Sequence, residues 1–285
     1  MTTNTTSQNR IKVTFIGAGN MARSLVAGID GNNAAVDITV SDPNEEQLDI
    51  IRGRWPACHT TTDNHAAVSD ADIVVLAVKP QIMQVVCQSL AASVQETKPL
   101  IVSIAAGVSE SSLNQWLGGF LPVVRCMPNT PALVQAGMTG LYANSRVTEQ
   151  QRSLAESIMR AVGMVLWFDD EEKLHAVTAV SGSGPAYFFL MMEAMQASAE
   201  SFGFSADEAR LLVQQTAFGA AKLAMESPES AGQLRRNVTS PGGTTEAAIG
   251  QFQAAGLEAI VDTALKAAAQ RSIILSGAKP AIEKS

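Results

Sequence analysis

Short runs of consecutive apolar residues, rich in Val and Ile, recur through the first half of the chain at Ile11–Ile16, Val36–Ser41, 73–78, 100–104 and Val123–Met127, with amphipathic stretches between them. Runs that are apolar on every residue suit strands buried on both faces, and their alternation with helical spacing predicts a parallel sheet covered by helices on each side. A helix is predicted over 148–162, followed by a last short strand over 164–168. From Glu171 onward the β-branched clusters disappear, and apolar positions recur every three or four residues through 206–225 and Leu257–Leu275. The pattern predicts an α/β chain in three parts: a disordered lead-in over 1–10, a doubly wound parallel-sheet domain over 11–170, and an all-helical domain over 171–285. Because the helices of the second domain carry few charges and many small residues, several of their faces are expected to be buried against another subunit.

Composition sharpens this picture by exclusion. With 46% hydrophobic and 16% charged residues the chain reads as globular, and a net charge of −7 gives it no electrostatic attraction to nucleic acid or to an anionic membrane. Cys58, Cys87 and Cys126 are widely spaced and odd in number, which suggests neither a disulfide framework nor a metal site and fits a reducing cytoplasm. No signal architecture opens the chain, and no apolar run reaches the ~18 residues that a membrane span requires.

The segment Gly17-Ala18-Gly19-Asn20-Met21-Ala22 follows Ile16 at the end of a predicted strand and opens a helical pattern. It fits the G-x-G-x-x-G/A fingerprint of a dinucleotide-binding Rossmann domain, in which the first glycine makes the tight turn and the second admits the pyrophosphate. Asp42 lies 25 positions after Gly17 and has two readings: a carboxylate for the ribose 2′-hydroxyl, or the opening residue of a Ser-Asp-Pro-Asn turn that leads into a helix. Strand ends in such a sheet face the ligand crevice, so the residues that leave them join the candidates for the coenzyme: Ala77, Val78, Lys79 and Pro80, then Ile104, Ala105 and Ala106, then Asn129, which suits the nicotinamide amide.

A ketone reductase places an acid to protonate the alkoxide it forms, and the candidates here are poor. His59, His65 and His175 stand in no constellation and read as surface or cap residues, while Tyr142 and Tyr187 lack a lysine four positions on. Lys222 is similar to the lysine of β-hydroxyacid dehydrogenases, but Glu226 stands where that family has Asn. A protonated C=N already carries the charge that attracts hydride, so a shortage of acids favours an imine substrate. The polar break Ser240-Pro241-Gly242-Gly243-Thr244-Thr245 then offers main-chain amides for a substrate carboxylate and the Thr245 hydroxyl, the candidate catalytic group, for the ring nitrogen. An ordinary helix start with Glu246 in its first turn is the other reading.

Taken together, Gly17–Ala22, Ala77–Pro80, Met127-Pro-Asn-Thr-Pro131, Ser181-Gly-Ser-Gly-Pro-Ala-Tyr187 and Val238–Thr245 resemble pyrroline-5-carboxylate reductase, in order and with matching spacing from Ile11 to Leu275. The resemblance implies reduction of 1-pyrroline-5-carboxylate to L-proline, the last step of proline biosynthesis, with NADPH as the expected coenzyme and NADH also accommodated. In similar enzymes the C-terminal helices interlock into a homodimer, dimers often assemble into decamers, and the site forms between the nucleotide domain of one subunit and helices of its partner. The resemblance further assigns Gly243, Thr244 and Thr245 to the substrate, Asn64 to the adenosine phosphate, and Asn237 to the coenzyme or the site wall. Asp42 departs from relatives that carry Ser or a basic residue there, and its charge opposes a 2′-phosphate. A related imine or β-hydroxyacid oxidoreductase of the same architecture is the second reading.

Overall fold

A computed structural model of the chain describes residues 10–32 and 36–277. The expected lead-in lies outside them except for Arg10. In chain order the elements are β1 (Ile11–Ile16), α1 (Asn20–Asn32), β2 (Val36–Ser41), α2 (Glu45–Arg54), β3 (His59–Thr61), α3 (Asn64–Val68), β4 (Ile73–Leu76), α4 (Pro80–Thr97), β5 (Leu100–Ser103), α5 (Glu110–Trp116), β6 (Val123–Met127), β7 (Gly137–Ala143), α6 (Glu149–Arg160) and β8 (Gly163–Phe168). The eight strands form one sheet in the order β3-β2-β1-β4-β5-β6-β7-β8. All neighbours are parallel except β6 and β7, so the expected parallel sheet is found with one antiparallel pair in it.

Alternation along the central strands builds a core on each face. Ile73 and Val75 of β4 join Leu25, Val26, Leu48, Ile51 and Ile158 on the side of α1, α2 and α6. Val74 and Leu76 join Met83, Cys87, Leu90 and Leu113 on the side of α4 and α5. Each such fully buried side chain contributes roughly 1.5–3 kcal/mol relative to exposure. The expected helix over 148–162 is α6, opened by a capping box in which Thr148 and Gln151 satisfy each other's backbone amides.

Strands β3 and β7 were not legible in the apolar pattern. The first spans only three residues. The second contains Gly137 and Gly140, and both must be glycine: a Cβ on Gly140 would meet the Val177 side chain at 2.7 Å, and one on Gly137 would meet the Val162 carbonyl oxygen at 2.9 Å.

After β8 come α7 (Lys173–Val177), a π-helical turn over Thr178–Gly182, then α8 (Gly184–Ser201), α9 (Ala206–Glu226), α10 (Ala231–Asn237), α11 (Thr244–Ala254) and α12 (Leu257–Leu275). The chain divides into two compact units, one running to Ser183 and including the tail from Ala268, the other comprising Gly184–Ala267. Within the first unit, Glu171 accepts from the buried Arg125 guanidinium and from the Glu110 amide, each at 2.6 Å. His175, expected at the surface or at a helix cap, is instead buried and bonded through Nδ1 to Ser272 Oγ at 2.9 Å, which pins the end of α12 to α7. The ring is buried although the Glu172 carboxylate lies 3.8 Å from its Nε2, a setting the sequence around His175 gives no sign of.

The second unit has almost no interior. Among its described residues only Gly184, Ala209 and Val213 are buried, while Phe188, Phe189, Leu190, Leu211, Phe218 and Met225 are exposed.

Candidate coenzyme and substrate sites

The strand order reverses between β1 and β4, so the ligand crevice of the sheet lies at their carboxyl ends. Gly17 and Ala77 leave those strands side by side, joined by the Ala77 amide donating to the Ile16 carbonyl at 2.8 Å. Gly17 has φ +105°, and a Cβ there would stand 2.8 Å from the Ala77 carbonyl oxygen, so the turn accepts only glycine. Gly19 is the opposite case, because a Cβ there would point into open space. That opening, above a helix whose first turn carries no acidic residue, fits the pyrophosphate of a dinucleotide.

Asp42 opens the turn into α2, as one of its two readings has it. Its Oδ2 accepts from the Ala18 amide at 2.8 Å and its Oδ1 accepts from the Asn44 amide at 2.9 Å, while Asn44 caps α2. The carboxylate therefore faces the glycine loop and fixes it to the end of β2. Asn64 is oriented from the same strand end, its Oδ1 accepting from the buried Ser41 hydroxyl at 2.7 Å.

At the next exit Lys79 precedes α4 without capping it, and Pro80 takes the first turn. Ala105 is buried and Ile104 follows β5, its amide bonded to the Leu76 carbonyl at 3.2 Å. Asn129 is largely committed: Oδ1 accepts from the Met138 amide at 2.9 Å and Nδ2 donates to the Ser181 carbonyl at 3.0 Å, tying the π-turn to the β6–β7 connection. One amide hydrogen is left for a ligand.

In the second unit the polar break ends at the start of α11. Gly242, with φ +71°, donates its amide to Glu246 Oε2 at 2.7 Å, and the Gly243 amide donates to the Ser240 carbonyl at 3.0 Å. The first helical bond runs from the Ala247 amide to the Gly243 carbonyl at 3.2 Å, and no side chain caps the helix. The amides of Thr244, Thr245 and Glu246 and the Thr245 hydroxyl have no partner among the described residues. Three converging N–H groups at a helix N-terminus favour an anion, and the hydroxyl adds a donor or acceptor beside it. Asn237 closes α10, with Oδ1 accepting from Gln233 at 2.7 Å and Nδ2 donating to Glu229 at 2.8 Å. Lys222 is an exposed residue 3.8 Å from Glu226 on the same helix face.

Sequence reading missed Ser41, Gln47, Arg23 and Glu246 as parts of these sites. Only Glu246 left a signal, its place three residues into α11. The others act through bonds between segments more than twenty residues apart.

Comparison with known proteins bears on both units. Residues 171–275 match the family described as pyrroline-5-carboxylate reductase dimerisation, and residues 12–107 match the family described as NADP oxidoreductase coenzyme F420-dependent. A pyrroline-5-carboxylate reductase of Pseudomonas aeruginosa is 53% identical over 93% of this chain and 97% of its own length. The structure of a pyrroline-5-carboxylate reductase from Coxiella burnetii superposes with a TM-score of 0.89 at 46% identity, covering 94% of this chain and 99% of that one. That of a Plasmodium falciparum pyrroline carboxylate reductase with NADP bound gives 0.83 at 27% identity, covering 94% and 99%. With conserved architecture from the glycine loop to the last helix, the chain belongs to the pyrroline-5-carboxylate reductase family.

Proposed function

We infer that this chain catalyses the NAD(P)H-dependent reduction of 1-pyrroline-5-carboxylate to L-proline. The observation that carries this reading is the uncapped start of α11, where the Thr244, Thr245 and Glu246 amides and the free Thr245 hydroxyl match a small ring acid with a basic nitrogen. Hydride is what the bound coenzyme supplies. Gly17, Gly19 and Asp42 shape its cradle, with Asn64 and Lys79 at the rim, while the α11 amides orient the substrate carboxylate and Thr245 holds the ring nitrogen. Hydride adds to the carbon of the protonated C=N, the π electrons move to nitrogen, and the product is an amine. No alkoxide forms, so no side-chain acid is required, and neither the buried His175 nor the solvated Lys222 is needed as one.

The relatives' names support the substrate, and the NADP in the Plasmodium falciparum structure supports the coenzyme. We further propose that residues 171–285 act as substrate-binding and dimerisation domain, that two copies pair through the exposed apolar helices, and that dimers can associate further, up to the decamer that the family resemblance implies. Three free, largely buried thiols and the absence, among the described residues, of a helix able to cross a membrane support a cytoplasmic location.

The test is a single assay. Purified protein should oxidise NADPH or NADH with 1-pyrroline-5-carboxylate and form proline; turnover of simple 2-keto or 3-hydroxy acids in preference to the imine would reject the assignment.

A further inference from the structure

Arg23 lies one turn into α1, its amide bonded to the Gly19 carbonyl at 3.0 Å. Its Nη2 donates to the Gln47 side-chain carbonyl on α2, yet its Nε is buried and bonds to nothing among the described residues. Buried guanidinium hydrogens rarely go unpaired, so this one marks a side chain whose best partner is missing from the protein itself.

The surroundings indicate what that partner is. The Ala18 amide bonds to Asp42, Asp42 to the Asn44 amide, the Asn44 carbonyl to the Gln47 amide, and the Gln47 side chain back to Arg23. This ring of contacts bridges the glycine loop and the β2–α2 turn at two levels, and it holds a carboxylate and a guanidinium together beside the crevice where an adenosine ribose lies in this fold. Asp42 suits a ribose 2′-hydroxyl and opposes a 2′-phosphate. Arg52, the nearest arginine along α2, is committed to Glu45, Asp49 and Thr60. Arg23 is held only by a neutral amide.

We propose that Arg23 is a specificity-determining residue that exchanges Gln47 for the 2′-phosphate of the coenzyme and offsets the repulsion from Asp42. A guanidinium pairs with a phosphate monoester through charge-assisted, bidentate hydrogen bonds, whereas its bond to Gln47 is single and leaves Nε unsatisfied, so the exchange favours the phosphate. The chain then accepts both coenzymes, Asp42 serving NADH and Arg23 serving NADPH. The proposal rests on the coenzyme reading given above.

The experiment is calorimetric titration of the full-length protein with adenosine 2′,5′-bisphosphate and, separately, with 5′-AMP, which lacks only the 2′-phosphate. For Arg23→Ala the ratio of the two affinities should fall by about tenfold or more, and Arg23→Lys should retain part of the preference. The ratio of kcat/KM for NADPH over NADH should fall in parallel. A ratio taken within one variant is insensitive to any general loss of folded protein. An affinity ratio in Arg23→Ala within about twofold of the wild type overturns the role of Arg23. A wild-type chain that binds neither nucleotide overturns the coenzyme reading itself, and this proposal with it.

Discussion

Thr245 and Asp42 are both proposed to meet a ligand, Thr245 with an unpaired hydroxyl and Asp42 with a carboxylate that also holds two main-chain amides, and substitution tests each proposal. The Thr245 hydroxyl has no partner among the described residues, so Thr245→Ala should leave α11 intact and remove only the hydrogen bond that the hydroxyl is proposed to accept from the protonated ring nitrogen. The expected result is a fall in kcat/KM with pyrroline-5-carboxylate worth about 1–3 kcal/mol, measured by steady-state kinetics; unchanged kinetics would reduce the hydroxyl to a bystander. Asp42→Ser is more complicated than its charge suggests, because the Ala18 amide loses its acceptor. Both coenzymes should bind less well and NADH should suffer more, so the kcat/KM ratio of NADPH to NADH rises; a constant ratio would show that the carboxylate does not meet the ribose. At this scale the sequence was informative where one short segment carries a whole function. The glycine loop follows a strand and precedes a helix, which is enough to read it. It was uninformative about Asp42, whose carboxylate joins the glycine loop to the β2–α2 turn with one oxygen on the Ala18 amide and the other on the Asn44 amide.

At the level of elements, the junction after β8 is held by buried polar contacts, Arg125 with Glu171 and His175 with Ser272. Burial holds the His175 imidazole below its ordinary value of 6.5, with the nearby Arg125 charge acting in the same direction and the Glu172 and Glu171 carboxylates opposing it. A histidine depressed in the folded state is neutral in both states at high pH. As pH falls through the ordinary value the unfolded chain takes up a proton first, so stability is lost on acidification between that value and the lower folded one. Thermal unfolding should show a midpoint that drops as pH is lowered from about 7.5 to about 5.5, and His175→Asn should flatten that dependence; an identical slope in the variant would assign the acid sensitivity elsewhere. The strands of continuous Val and Ile were readable because both of their faces meet helices. Strand β7 was not, since Gly137 and Gly140 are there to let neighbouring elements approach and glycine carries no β signal of its own. The π-turn over Thr178–Gly182 has no periodic signature either, being one extra residue in a helical register.

For the molecule as a whole, the contrast between the two units is the main energetic fact. The first buries a layer of aliphatic side chains on each face of its sheet, while the second exposes most of its large apolar residues. Apolar helices with few charges suggested a subunit interface in the sequence, and the thin interior of Gly184–Ala267 agrees with that expectation. Leu211, 67% exposed on α9, is a suitable probe. Leu211→Asp should yield a smaller species by light scattering with a lower unfolding midpoint, and a variant that keeps wild-type mass and stability would show that α9 does not join the subunits.

The thin interior of the helical unit has a kinetic corollary. A chain that gains much of its solvent-shielded surface only from a second copy completes its maturation in a bimolecular step, so dilution slows it and abundance speeds it. With pairing through the exposed helical faces as proposed above, a cell making two versions of the chain at once would still admit into mixed assemblies a copy damaged only at the Thr244, Thr245 and Glu246 amides.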